Sequence, residues 1–273
     1  MTAVLERTAP PPSAQTDQGW WAKTRAAARY EYLMQVCRPA VWVVVIGLIA
    51  LRCSSPWPVN LGSITDHATL VGDWTYDFTM LGPIGVGAVL ADRIQRESRL
   101  ELTDLLTSTP TGIGPRLWGK AIGAAAATIT PFALSWAALL SYLAAKHGAG
   151  VIPVGIAAFV AIILPGLIFI SAFSLTVPLL IGAPLYRLGL VGYWFWGNMV
   201  GPDYGIPTPA GTPFEAIGEY PAGAWFHGAM FDATERGVTA STANAVISIA
   251  FLLLAALAAL ATTHYVLNQR SPS

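Results

Sequence analysis

The chain has 273 residues, of which 54% are hydrophobic and only 11% charged, with a net charge of zero. Soluble domains carry roughly a quarter charged residues, so this composition excludes an ordinary soluble globule and marks an integral membrane protein. A balanced charge also offers no argument for nucleic acid or an acidic substrate as a partner.

Residues 1–18 are polar, carry Pro10, Pro11 and Pro12, and lack an apolar core. They read as a disordered cytoplasmic N-terminus rather than a cleaved signal peptide. Residues 19–273 then form a single transmembrane domain. It opens with Gly19 to Val36, where Trp20, Trp21, Tyr30 and Tyr32 mix with Lys23, Arg25 and Arg29. Aromatic and basic residues together predict a helix lying on the membrane surface. A plain extension of the first span is the alternative. Arg38-Pro39 is the expected elbow, because proline ends or kinks a helix.

Six apolar segments follow, each judged against the roughly 20 residues needed to cross a bilayer. They lie at about 34–54, 72–91, 118–145, 151–180, 184–201 and 243–265. Pro165 predicts a kink in the fourth. The expected fold is all-α. It has six transmembrane helices, an N-terminal interfacial helix, a charged cytoplasmic helix and a long outer loop with short helices. Cys37 and Cys53 flank the first segment, about 24 Å apart at helical rise. That is too far for a disulfide, and both read as buried packing residues.

Lysine and arginine set the orientation. With the N-terminus inside, 12 of the 15 fall in inside segments and only Arg52, Lys146 and Arg236 outside. This positive-inside bias predicts both termini in the cytoplasm of a multi-pass inner-membrane protein. The loop at 202–242 is then outside. It is rich in proline and in aromatics, which disordered tethers lack, so short helices or re-entrant turns are expected there.

Polar residues near the outer ends stand out. Asp73 and Asp77 fall in the second segment and Arg52 ends the first at a similar height. Ionisable groups at depth are costly, so an Arg52–Asp77 pair would relieve both. These three form a candidate outer gate; hydrated aspartates at a late helix start are the alternative. Tyr193, Trp194, Trp196, Trp225 and Phe226 read as an interfacial belt, or as an outer surface for an amphipathic or lipid-like substrate. Gly119, Gly123 and Ala124 to Ala127 permit close helix packing within the subunit.

No Gly-x-x-x-x-Gly-Lys-Ser/Thr occurs, so the chain has no P-loop of its own. Nor is there a His-Glu-x-x-His or a Cys/His cluster for zinc, and no metal site is expected. His67, His147, His227 and His264 are scattered near segment ends and in outside loops. The chain is expected not to be an enzyme.

The segment Asp92 to Lys120 is charged, amphipathic, and wedged between two apolar runs. On a helix Arg93, Arg96 and Arg99 recur every third residue. Glu97, Glu101 and Asp104 form a second row, beside an apolar face that includes Leu105 and Leu106. Arg93 and Glu97 can pair at i, i+4. Thr107-Ser108-Thr109-Pro110 then stops the helix. A membrane protein exposing such a helix to the cytoplasm uses it to touch a soluble partner; a solvated loop helix is the plainer alternative.

Arg96-Glu97, Asp104-Leu105-Leu106, Ser108-Thr109-Pro110 and Leu117-Trp118-Gly119-Lys120 resemble the coupling region of ABC exporter permeases of the second type. Those permeases export drugs, polysaccharides and lipids. Where they carry Gly-Thr, this chain has Glu101-Leu102. Arg29-Tyr30-Glu31 and Arg38-Pro39 resemble the same family's surface helix and its entry into the first span. The resemblance implies a transmembrane subunit that pairs with a second permease subunit, identical or related, among membrane lipids. Two ATP-binding-cassette subunits, holding ATP and Mg, would each receive a coupling helix. Two other classes compete: an intramembrane lipid-modifying enzyme, and a membrane scaffold or sensor.

Overall fold

The computed structural model describes residues 12–54, 66–91, 93, 112–201, 204–228 and 241–270, with side chains for all of these but 12–18, 52, 53 and 270. The described residues are helical apart from turns and the irregular stretch 204–218, and hold no strand. Helix α1 is Pro12–Val36, α2 Pro39–Cys53, α3 His67–Leu90 and α4 Ile113–His147. Helix α5 runs over Val151–Ile181 with an internal π-turn, α6 is Ala183–Asn198 and α7 is Thr242–Arg270.

Each apolar segment of the sequence holds a helix, with shifted boundaries. Helix α1 starts at Pro12, inside the stretch expected to be disordered. The first apolar helix begins at Pro39 rather than near 34. Residues 34–36 belong to α1, and the two axes meet at 65°. Proline restarts a helix well because its missing N–H is not needed in the first turn. Cys37 sits at this elbow and is exposed, which corrects its expected burial.

Among the described residues, α4, α5 and α7 are long and apolar enough to cross a membrane, and the bent pair of α1 and α2 can supply a fourth crossing. The apolar window of α7 is only 28% buried within the chain. An apolar surface left that open faces lipid. Helix α3 differs: it is walled in by its neighbours, so it need not be apolar throughout. Thr75 and Thr79 lie buried in it and return their hydroxyls to the Val71 and Thr75 carbonyls at 2.7 and 3.1 Å.

The kink expected at Pro165 is a π-turn over Phe159–Ile163. Pro165 cannot donate to the carbonyl four residues back, and widening the preceding turn absorbs the mismatch. The Trp136 indole bonds the Gly155 carbonyl at 2.9 Å just before this turn. Trp136 also meets Phe78 edge-on at 4.9 Å, joining α3, α4 and α5 in the core.

Candidate functional site

Helix α1 lies against α4 because two glycines let it come close. A Cβ at Gly119 would stand 2.8 Å from the Thr24 carbonyl oxygen, and one at Gly123 would stand 2.7 Å from the Glu31 Cβ. The face of α1 turned to α4 is small or buried: Ala27, Ala28, Thr24 and Glu31. Its other face exposes Trp21, Tyr30 and Leu33 beside Lys23, Arg25 and Arg29. That division fits a helix with one side on protein and the other at a lipid–water boundary. The expectation that Gly119 and Gly123 serve packing within the chain is met by this contact.

The close approach positions Glu31. Its carboxylate takes a two-pronged ion pair from Arg93, just beyond α3, with Nη2 2.9 Å from Oε2 and Nε on Oε1. Gln35, one turn along α1, donates its amide to the same Oε1. Arg93 Nη2 also lies 3.2 Å from the Met34 sulfur. Arg93 is 8% exposed and Glu31 2%, so the pair is shielded from water. The charges come from residues 62 apart in sequence. They tie α1 to Arg93, near the start of the charged segment. The rest of that segment, including Arg96, Glu97, Glu101, Asp104, Leu105, Leu106 and Pro110, lies outside the described residues.

Arg187 packs at the same end. It donates Nε to the Ala88 carbonyl at 3.1 Å, satisfying one of the last carbonyls of α3. Arg38, Arg93 and Arg187 thereby converge where α2, α3 and α6 meet.

The opposite end holds the candidate gate. Asp73 and Asp77 are buried inside the helix packing, at 1% and 2% exposure, rather than at a hydrated helix start. The Arg52 side chain lies outside the described ones, and with it the Arg52–Asp77 pair. Asp66 caps α3, accepting the Thr69 N–H at 2.9 Å and the Thr69 hydroxyl at 2.8 Å. These bonds hold its carboxyl below the usual carboxylate value. His67 shares a 3.1 Å hydrogen bond with the His147 carbonyl, linking α3 to the end of α4.

The loop after α6 folds back into the helices. Asn198 ends α6 with its amide on the Trp194 carbonyl at 3.0 Å, while its oxygen accepts the Ala216 N–H at 2.9 Å. A Cβ at Gly166 of α5 would stand 2.7 Å from the Ala216 carbonyl oxygen. Gly218, at a φ of 82°, lies over Ile162 in the π-turn. Residues 204–228 of the loop include the short helix Glu219–Pro221 and pack against α5 and α6. They bury Glu215 and Glu219, which sequence reasoning did not single out; their i, i+4 spacing was the available signal. Burial and these two carboxylates push the Tyr220 phenol upward.

The aromatic set divides. Trp194 is fully buried and donates to the Met80 carbonyl at 2.6 Å, and Phe226 is buried against Gly72. Tyr193 and Trp225 are half-buried, and Trp196 is 42% exposed. Trp196 alone of the five is open, so the set forms no single outer surface. Among the described residues no group of histidine, cysteine or carboxylate side chains is arranged to hold a metal.

No family model, curated protein or solved structure matches this chain.

Proposed function

We propose that the chain is the transmembrane subunit of an ATP-binding-cassette exporter, with six spans in the inner membrane and both termini in the cytoplasm. Its spans are α2 to α7, with α1 on the cytoplasmic surface. Two copies, or one copy and a related chain, form the substrate path. Two separate ATPase subunits, holding ATP and Mg, dock on the charged segment 92–110. Six helices at the six apolar segments and the motifs quoted above support this reading.

The observation that carries it is the buried Glu31–Arg93 pair. Arg93 opens the charged segment, Glu31 rides on α1, and α1 lies along α4. A push on the segment from below therefore reaches the surface helix and a spanning helix through one closed set of contacts. A coupling device needs a rigid link between the docking element and the moving spans, with different contacts in two states.

Replacing Glu97 and Asp104 with lysine tests the proposal. The double variant inserts normally but loses the coupling of ATP hydrolysis to transport. Unchanged transport-dependent ATPase activity contradicts the assignment.

A further inference from the structure

Among the described residues, the three helices long and apolar enough to cross a membrane are α4, α5 and α7, and they leave a groove of about 340 Å³ between them. It is lined by Trp118, Ala125 and Ile129 of α4, Ile168 and Ala172 of α5, and Leu260 of α7. Ile122, 50% exposed, stands on its rim. Trp118 and Ile129 are about 16 Å apart at helical rise, roughly half the thickness of a bilayer's hydrocarbon core. Gly123, between them, packs against Glu31, the partner of Arg93. The groove therefore belongs to the leaflet at the Arg93 end.

Its occupant follows from lining and shape. Apart from the Trp118 indole N–H, every lining side chain is hydrocarbon, so water finds too few of the polar partners it needs there. A helix of that length, about 10 Å across, occupies several times the volume of the groove, so a spanning helix of a second copy does not enter it. A single extended acyl chain does. One end is also furnished for the rest of a lipid. One turn beyond Trp118 is Gly114, and one turn beyond Leu260 is His264. A Cβ at Gly114 would stand 3.2 Å from His264 Nε2 and 3.5 Å from Trp20 Nε1. Asn268 Nδ2 lies 3.3 Å from the same histidine nitrogen. Indole and amide N–H groups are donors, and the ester carbonyls that join acyl chains to glycerol are acceptors. Tryptophan is also a residue that the membrane–water boundary favours.

We infer that the groove between α4, α5 and α7 holds one acyl chain of a bilayer glycerolipid, with the ester end at Trp20 and Asn268. Recognition is of chain and ester, which lipids of different headgroup charge share. The site requires that the chain be membrane-embedded. It does not require the exporter reading, and each can fail without the other.

Photolabelling of the full-length protein in vesicles of phosphatidylethanolamine and phosphatidylglycerol tests the site. The probe is phosphatidylcholine with a diazirine midway along one acyl chain, and mass spectrometry of peptides locates the label. Label at Ile122, Ala126 and Ile129 is expected in several-fold excess over that at Leu188, which is 73% exposed on α6 beside Arg187. Phosphatidylglycerol bearing the same tagged chain gives the same excess. Ala125→Phe fills the groove and removes the excess, while Leu188 keeps its label. Ala126→Phe does the same from the next lining position and serves if the first variant does not fold. An excess that survives both variants overturns the site. So does labelling of the wild-type groove no stronger than at Leu188, the result also expected if a second copy covers it. An excess with phosphatidylglycerol alone overturns the chain assignment in favour of a headgroup site.

Discussion

Glu31 and Arg93 meet in a buried, two-pronged ion pair that fastens the N-terminal helix to the residue just beyond α3. Gln35 completes the arrangement from one turn along α1. The pair lies beside the contact of α1 with α4, so one interaction fixes three elements.

Removing one partner of a buried pair strands the other's charge, which costs about 3–5 kcal/mol. Glu31→Ala is therefore expected to lower thermal stability in detergent markedly. Arg93→Leu combined with Glu31→Leu removes both charges and is expected to recover much of that loss. Thermal unfolding of the singles and the double closes the cycle. A Glu31→Ala change of under about 0.5 kcal/mol, the scale of an exposed pair, would show that the pair is hydrated.

Helix α1 is held close by Gly119 and Gly123, whereas Gly19 has nothing within 4 Å of an added Cβ. Gly123→Leu is expected to push α1 off α4 and to speed tryptic cleavage at Lys23, Arg25 and Arg29. Gly19→Ala is expected to leave cleavage unchanged or slow it, since alanine favours helix over glycine by about 1 kcal/mol. Limited proteolysis of the two variants side by side checks the contact.

Asn198 bonds both its own helix and the returning loop. Asn198→Ala leaves a buried Ala216 N–H without its acceptor, at a cost of about 1–3 kcal/mol. The expected result is faster hydrogen exchange at residues 215–221, with α4 protected as before.

The Asp66 cap makes a pH prediction. Its carboxyl is held below the unfolded value, chiefly by the Thr69 N–H. The folded state therefore favours the carboxylate. Its contribution is full above the unfolded pKa and fades as pH falls through the lower folded one. Asp66→Ala is expected to cost about 1 kcal/mol at neutral pH. Asp66→Asn keeps most of the cap and loses this pH dependence, which thermal unfolding between pH 3 and 7 reads directly.

The helices were legible in the sequence because apolar run length and proline placement are local signals. Pro39 and Pro165 mark a 65° elbow and a π-turn for reasons contained within a few residues. That Asp73 and Asp77 are buried within the helix packing is not legible from a hydropathy window, which does not register which neighbours wall a helix in. Trp194 and Phe226 read as surface because an interfacial belt and a buried indole have the same composition. The pair of Glu31 with Arg93 and the convergence of three arginines depend on how α1, α2, α3 and α6 pack. Neither has a local signature beyond the spacing of Glu31 and Gln35.

The proposed function requires a separate ATPase as the partner of this chain. Affinity purification of the tagged protein in mild detergent, followed by identification of what comes with it, tests that most directly. A stoichiometric ATP-binding-cassette subunit, lost when Glu97 and Asp104 are both lysine, is the predicted result. A folded protein that purifies with no such subunit would contradict the account.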